Sequence, residues 1–274
     1  MIIDWKEIAF HIYDTIKAEV SVLKEKPTLW AILVWDNASS IRYINQKMKW
    51  AKYTWINFEL IKLKEDISED ELLEHIKSFN KNKNINWYIV QLPLPKHINE
   101  KNIINSIKPK KDVDWFHPKN QWKILIWDNS WLVPCTPAWI MEIFSSQDID
   151  LVWKVVCVIG RSNIVWKPIA ALLINAWATV ISCNSNTKDI TKFTKQADIV
   201  IVATGCPWLL KEDMLKQDSI VIDVWFTVKD WVIYWDAETI DIDSKWHKVT
   251  PVPGWVWALT VALLMKNVVK TTKK

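Results

Sequence analysis

Residues 155–176 read VVCVIGRSNIVWKPIAALLINA: an apolar run closing on Gly160, a short polar turn, then apolar residues at helical spacing. Such a strand, turn and helix aims backbone amides and a helix N-terminus at a phosphate. The GxGxxG fingerprint is missing. With glycine in place of Trp166 the turn becomes Gly160, five residues, glycine, a nucleotide-loop pattern of its own. The following strand ends Cys183-Asn184-Ser185, without the acid that NAD enzymes place there for the ribose 2′-hydroxyl. Arg161 and Ser162 in the turn offer donors to a 2′-phosphate instead, so NADP is the expected cofactor.

Working outward, strands over Val155–Gly160, Thr179–Cys183, Ile199–Ala203 and Ile220–Val224 follow a helix near Pro137–Phe144. An earlier series precedes them. Ile8, Ile12, Ile16, Val20 and Leu23 recur at helical spacing, Pro27 breaks the pattern, and LWAILVW reads as a strand. A helix Ala38–Lys52, a strand Ile56–Ile61, a helix Ser68–Phe79, a strand Tyr88–Gln91 and a short helix around Ile103 continue the alternation. This pattern predicts an α/β protein with two α/β domains around a cleft, the C-terminal one a Rossmann-like NADP-binding domain. The expected boundaries are 1–114 for the first domain and 115–251 for the second. The closing segment 252–274, with a helix Leu259–Val269, is expected to complete the first domain.

Lysine and arginine total 35 against 31 acids, a formal +4 spread along 274 residues, which argues against a nucleic-acid stripe. The N-terminal MIIDWKEIAFHIYDTIKAEV is charged throughout and reads as neither signal peptide nor membrane anchor, so a cytoplasmic protein is expected. Cys135, Cys157, Cys183 and Cys206 form no CxxC pair and the five histidines no HExxH, so neither a zinc site nor a disulfide framework is expected.

One anomaly stands out: 21 tryptophans and 3 glycines. Ordinary glycine usage is about 7%, so the two counts look exchanged. Position tests the idea. Trp35 precedes Asp36-Asn37 after AILV, Trp127 precedes Asp128-Asn129, Trp177 ends an apolar helical stretch, Trp208 follows Cys206-Pro207, and Trp255 and Trp257 bracket Val256. These are strand ends, helix ends and turns, where glycine belongs. A gene whose UGA codons mean glycine, translated with a table that reads them as tryptophan, would print such a sequence.

In the first series, Tyr43 and Lys47 lie four residues apart and project from one helix face. A lysine held in a partly desolvated place near the strand end Val90-Gln91 becomes capable of acid/base work. Asp112 and Asp114, in KKDVDWFHP, fall between the two series of strands.

At this point several segments resemble, in order, those of the bifunctional methylenetetrahydrofolate dehydrogenase/methenyltetrahydrofolate cyclohydrolase family. VWDNASSIRYINQKMKWAK (34–52) is similar to VGD-x-x-S-x-x-Y-V-x-x-K-x-K, WYIVQLPLP (87–95) to G-x-x-V-Q-L-P-L-P, and KKDVDWFHPKNQWK (110–123) to K-D-V-D-G-F-H-P-x-N-x-G. VPCTPAWIMEIF, VIGRSNIVWKP, ADIVIVATGCPWLL, VIDVWF and TPVPGWVW follow in the family's order. At nearly every motif position where the family has glycine this chain has tryptophan.

The resemblance implies NADP-dependent oxidation of 5,10-methylenetetrahydrofolate to the methenyl form and hydrolysis of that to 10-formyltetrahydrofolate. It implies Lys47 as acid/base of the hydrolysis, Tyr43 positioning the substrate, Gln91 bonding near the lysine, and Asp114 holding the pterin ring. Leu92, Pro253 and Gly254 would complete the folate site. Gly160, Arg161, Ser162, Trp166 (as glycine) and Ser185 would hold the cofactor. Tetrahydrofolate derivatives are the implied partners and a homodimer the implied assembly, with no metal, nucleic acid or membrane. Asn184 in place of a usual histidine, Thr227 where asparagine is common, and Ala258-Leu259 in place of Pro-Met depart from the pattern. A dehydrogenase lacking hydrolysis and a non-catalytic folate- or nucleotide-binding protein are the competing readings. Lys47 and Gln91 argue against the former.

Overall fold

The structure, a computed structural model, describes residues 5–128, 132–224, 226–229, 232–238, 248–249 and 256–272. The chain forms two compact units, one of Ala9–Cys135 with Trp257–Lys274 and one of Met1–Ile8 with Thr136–Val256.

Helix α1 (Trp5–Ser21) leads into the first unit. Its sheet is parallel, with β1 (Thr28–Val34) between β2 (Asn57–Leu63) and β3 (Trp87–Val90), and Ala31 of β1 stands opposite Leu60 and Ile89. The continuous apolar run of β1 suits a strand covered on both faces. Between the strands run α2 (Ala38–Tyr53) and α3 (Glu69–Lys81). Asn37 starts α2 by accepting from the amides of Ser39 and Ser40, and Ser68 with Glu71 closes a capping box on α3. Leu72, Ile76 and Phe79 of α3 pack on Ile32, Val34, Tyr88 and Val90 to make the core. Beyond β3 lie α4 (Glu100–Ser106) and α5 (Pro118–Leu125). Helix α5 has no counterpart among the elements expected from the sequence; the His117 side chain caps it, with Pro118 in the first turn.

Helix α6 (Cys135–Ser146) opens the second unit, followed by β4 (Val155–Ile159), α7 (Trp166–Asn175), β5 (Thr179–Cys183), α8 (Thr191–Thr194), β6 (Ile199–Val202) and β7 (Ile220–Asp223). An antiparallel hairpin of β8 (Phe226–Lys229) and β9 (Val232–Trp235), not foreseen from the sequence, precedes β10 (Lys248–Val249). The five-stranded sheet runs β10-β7-β6-β4-β5, all parallel. Because β5 and β6 flank β4, the winding reverses at β4, and ligands of open α/β sheets bind beyond the strand ends at such a point. Gly160 sits there.

Nine non-glycine residues have positive φ: Asp148, Asp218 and seven tryptophans, Trp35, Trp55, Trp115, Trp127, Trp153, Trp177 and Trp208. Aspartate tolerates this region, whereas a bulky side chain there is an outlier. Three of these tryptophans directly follow helix C-caps. After α2 the amide of Trp55 bonds Lys52 O at 3.3 Å and that of Ile56 bonds Ala51 O at 2.9 Å. After α5, Trp127 and Asp128 bond Ile124 O and Lys123 O; after α7, Trp177 and Ala178 bond Ile174 O and Leu173 O. Each is a Schellman motif with tryptophan in the left-handed place that glycine normally takes. A left-handed L-residue costs roughly 1–2 kcal/mol. Seven such residues together cost on the order of 10 kcal/mol, as much as the whole stability of a typical domain, about 5–15 kcal/mol.

Candidate active site

The buried stripe of α2 is Ser40, Ile44, Lys47 and Ala51, at the helical repeat, so the helix that buries its apolar face carries a lysine inward with it. Lys47 is 8% exposed. Gln91 follows β3 directly; its amide bonds Ile32 O at 2.9 Å, continuing the sheet ladder and fixing where the side chain starts. Lys47 Nζ donates to Gln91 Oε1 at 3.0 Å, and Gln91 Nε2 donates to Leu92 O at 2.6 Å. The second bond fixes the amide so that its oxygen faces the ammonium. Tyr43 lies half-buried one turn before Lys47, and burial pushes its phenol above the usual range.

Asp114 feels the same lysine. Burial pushes its carboxyl up while the positive charge of Lys47 pulls it down. The Cys135 thiol is pushed up by burial and further by Asp114, with Lys47 opposing. Lys47, Gln91, Asp114 and Cys135 therefore share one electrostatic neighbourhood within the first unit.

Asp112 has a different task. Its Oδ1 accepts from Trp115 N at 3.0 Å, and its Oδ2 from His117 N at 2.8 Å and Asn120 Nδ2 at 3.1 Å. Tyr88 N donates to Lys111 O at 3.1 Å, which ties this loop to β3. Asp112 is thus the loop's organiser, and burial pushes its carboxyl up to about 7. From the other end of the chain, Asn267 on the C-terminal helix Val256–Thr272 donates through Nδ2 to Val113 O at 3.4 Å, Val133 O at 3.2 Å and Cys135 Sγ at 3.8 Å. Neither role was read from the sequence, although a lone asparagine within VALLMKNVVK was a signal that something polar faces it.

In the second unit Gly160, at φ 141°, donates to Cys183 O at 2.8 Å, so the turns after β4 and β5 lie side by side. Arg161, Ser162 and Ser185 are exposed on them. No carboxylate stands among Asn184, Ser185 and Asn186, and this donor set fits a 2′-phosphate. Trp166 opens α7 and is buried, its indole lying on Gly160: a Cβ placed there would meet Trp166 Nε1 at 2.1 Å. Pro253 and Gly254, expected in the folate site, lie outside the described residues. Among the described residues no group of histidine, cysteine and acid side chains is arranged to hold a metal ion.

Comparison with known proteins identifies the family. Residues 3–114 match the tetrahydrofolate dehydrogenase/cyclohydrolase catalytic domain, and residues 134–274 match the NAD(P)-binding domain of the same family. The bifunctional protein FolD of Nautilia profundicola is 44% identical over 276 residues, covering 99% of this chain and 97% of that protein. The crystal structure of the bifunctional FolD methylenetetrahydrofolate dehydrogenase/cyclohydrolase from Campylobacter jejuni superposes with a TM-score of 0.96 at 38% identity, covering 100% of this chain and 98% of that one. The Trypanosoma brucei methylenetetrahydrofolate dehydrogenase-cyclohydrolase, complexed with NADP and an inhibitor, has a TM-score of 0.93 at 30% identity and covers 100% and 97%. The chain belongs to the tetrahydrofolate dehydrogenase/cyclohydrolase family.

Proposed function

We propose that Lys47, Gln91, Asp114 and Tyr43 are the working groups of a bifunctional folate enzyme. The protein oxidises 5,10-methylenetetrahydrofolate to the methenyl form with NADP and hydrolyses that product to 10-formyltetrahydrofolate. When bound in the turn of residues 160–166, NADP would supply the hydride acceptor for oxidation of the one-carbon bridge. In the hydrolysis, water adds to the methenyl carbon and the adduct releases one proton to solvent; the remaining hydroxyl then gives up its proton as the formyl carbonyl forms, and the ring nitrogen leaves carrying a proton. Lys47 is the group that takes and returns these protons. Gln91 holds the ammonium by the 3.0 Å bond, Asp114 binds the pterin, Tyr43 positions the ring system, and Leu92, Pro253 and Gly254 complete the folate site. Arg161, Ser162 and Ser185 receive the cofactor's 2′-phosphate, and residues 160 and 166 form its turn. The catalytic domain on this reading is 1–114 completed by 252–274, with 115–251 as the nucleotide domain.

The observation that carries the assignment is the buried Lys47–Gln91 pair beside Asp114. Replacing Lys47 by alanine is expected to lower methenyl hydrolysis by roughly 100- to 10,000-fold, measured as decay of the methenyl chromophore in folded protein. Unchanged hydrolysis removes Lys47 from the mechanism. Measuring NADP reduction by the same variant separates this reading from a dehydrogenase that never hydrolysed. The proposal extends to a cytoplasmic homodimer supplying one-carbon units to purine synthesis, on the strength of family likeness. No helix among the described residues is long and apolar enough to cross a membrane.

A further inference from the structure

We propose that the seven left-handed tryptophans and Trp166 occupy glycine positions of the functional protein, so that the active chain carries glycine there. Three independent features agree. First, a chain with 21 tryptophans and 3 glycines places tryptophan at positive φ seven times. Apart from two aspartates, no other non-glycine type among the described residues does so. Second, at five of the seven burial does not offset the strain, Trp115 being buried and Trp35 half-buried. Trp55, Trp127, Trp153, Trp177 and Trp208 are exposed, Trp153 to 89%. Third, the Trp166 indole lies over Gly160, the backbone a phosphate must approach at the switch point of the sheet. Glycine at 166 uncovers that backbone and gives the turn a second glycine. None of this depends on the folate assignment, because φ, indole exposure and the collision over Gly160 are read from the chain's own geometry.

The test is peptide sequencing by tandem mass spectrometry of the chain purified from the cells that make it. Glycine is expected at 35, 55, 115, 127, 153, 166, 177 and 208. Tryptophan at these positions overturns the proposal. Recombinant chains carrying the eight tryptophans or eight Trp→Gly changes supply a second readout. The glycine chain is expected to melt higher and to bind NADP at least about tenfold more tightly. A tryptophan chain that equals it in both is the contrary result.

A separate observation assigns Asn267 as a positioning residue for the hydrolysis. Its Nδ2 spans the carbonyls of Val113, between Asp112 and Asp114, and of Val133, and reaches Cys135 Sγ. It is 9% exposed, so water does not substitute readily for it. The C-terminal helix thereby sets where the Asp114 backbone lies relative to Lys47. This rests on the proposed roles of Lys47 and Asp114, and Lys47→Ala assayed alongside separates failure of those roles from failure of this one. In Asn267→Val, hydrolysis kcat is expected to fall about 10- to 100-fold with a displaced pH profile, while NADP Kd is unchanged. If that variant does not fold, Asn267→Ser, which keeps a donor, is expected to show a smaller loss in the same direction. Wild-type kcat and pH profile in a folded variant overturn the assignment.

Discussion

Asp112 and Asp114 stand two residues apart in one loop, and burial raises both, yet their surroundings divide the labour. Asp112 is enclosed by donors, the amides of Trp115 and His117 and the side chain of Asn120, whereas Asp114 answers to the charge of Lys47. The sequence showed two acids in DVD, but spacing cannot say which is spent on the loop. A carboxyl raised from the ordinary 3.8 to about 7 favours the fold most while it is neutral. Its contribution is complete below the unfolded value and is lost as pH rises through about 7. Asp112→Asn is therefore expected to flatten the decline in stability between these values, although the amide, facing three donors, destabilises the loop at every pH. Urea midpoints at acid and neutral pH check this; identical slopes in the two proteins contradict it.

Among the elements, helices and strands were legible where their periods were clean. β1, α2 and α3 declare themselves by apolar spacing and by Asn37 and Ser68 at their starts. Helix α5 was not legible because its cap is a histidine and the residues before it belong to the Asp112 loop. The hairpin β8–β9 was missed because its strands are short. Two predictions belong at this scale. Ser68→Ala removes the capping hydroxyl of α3 and is expected to cost about 0.5–2 kcal/mol, read from thermal unfolding. Trp177→Gly, at the Schellman position after α7, is expected to stabilise by about 1–2 kcal/mol because the indole is exposed and buries little. Destabilisation by Trp177→Gly would show that the indole packs in solution.

At the scale of the whole chain, alternation of strand and helix predicted two α/β bodies, and the parallel sheets β2-β1-β3 and β10-β7-β6-β4-β5 bear it out. The Lys47–Gln91 pair was legible because a helix stripe and a strand end each announce their residue. Asn267 was not, since its partners Val113 and Val133 lie far away in sequence and offer only backbone carbonyls, which no side-chain pattern marks. On the proposed assignment, the turns after β4 and β5 set cofactor choice. Arg161→Ala is expected to weaken NADP binding about tenfold or more and to leave NAD binding unchanged, by calorimetry. NADP at 100 times its Kd should stabilise the protein by about 2.7 kcal/mol.

The most direct test of the account is a coupled assay on the purified native chain, supplied with 5,10-methylenetetrahydrofolate and NADP. NADPH and the methenyl chromophore should appear together, and the chromophore should then decay to 10-formyltetrahydrofolate faster than it does without protein. Folded chain that binds both compounds yet yields neither NADPH nor accelerated decay would contradict the assignment.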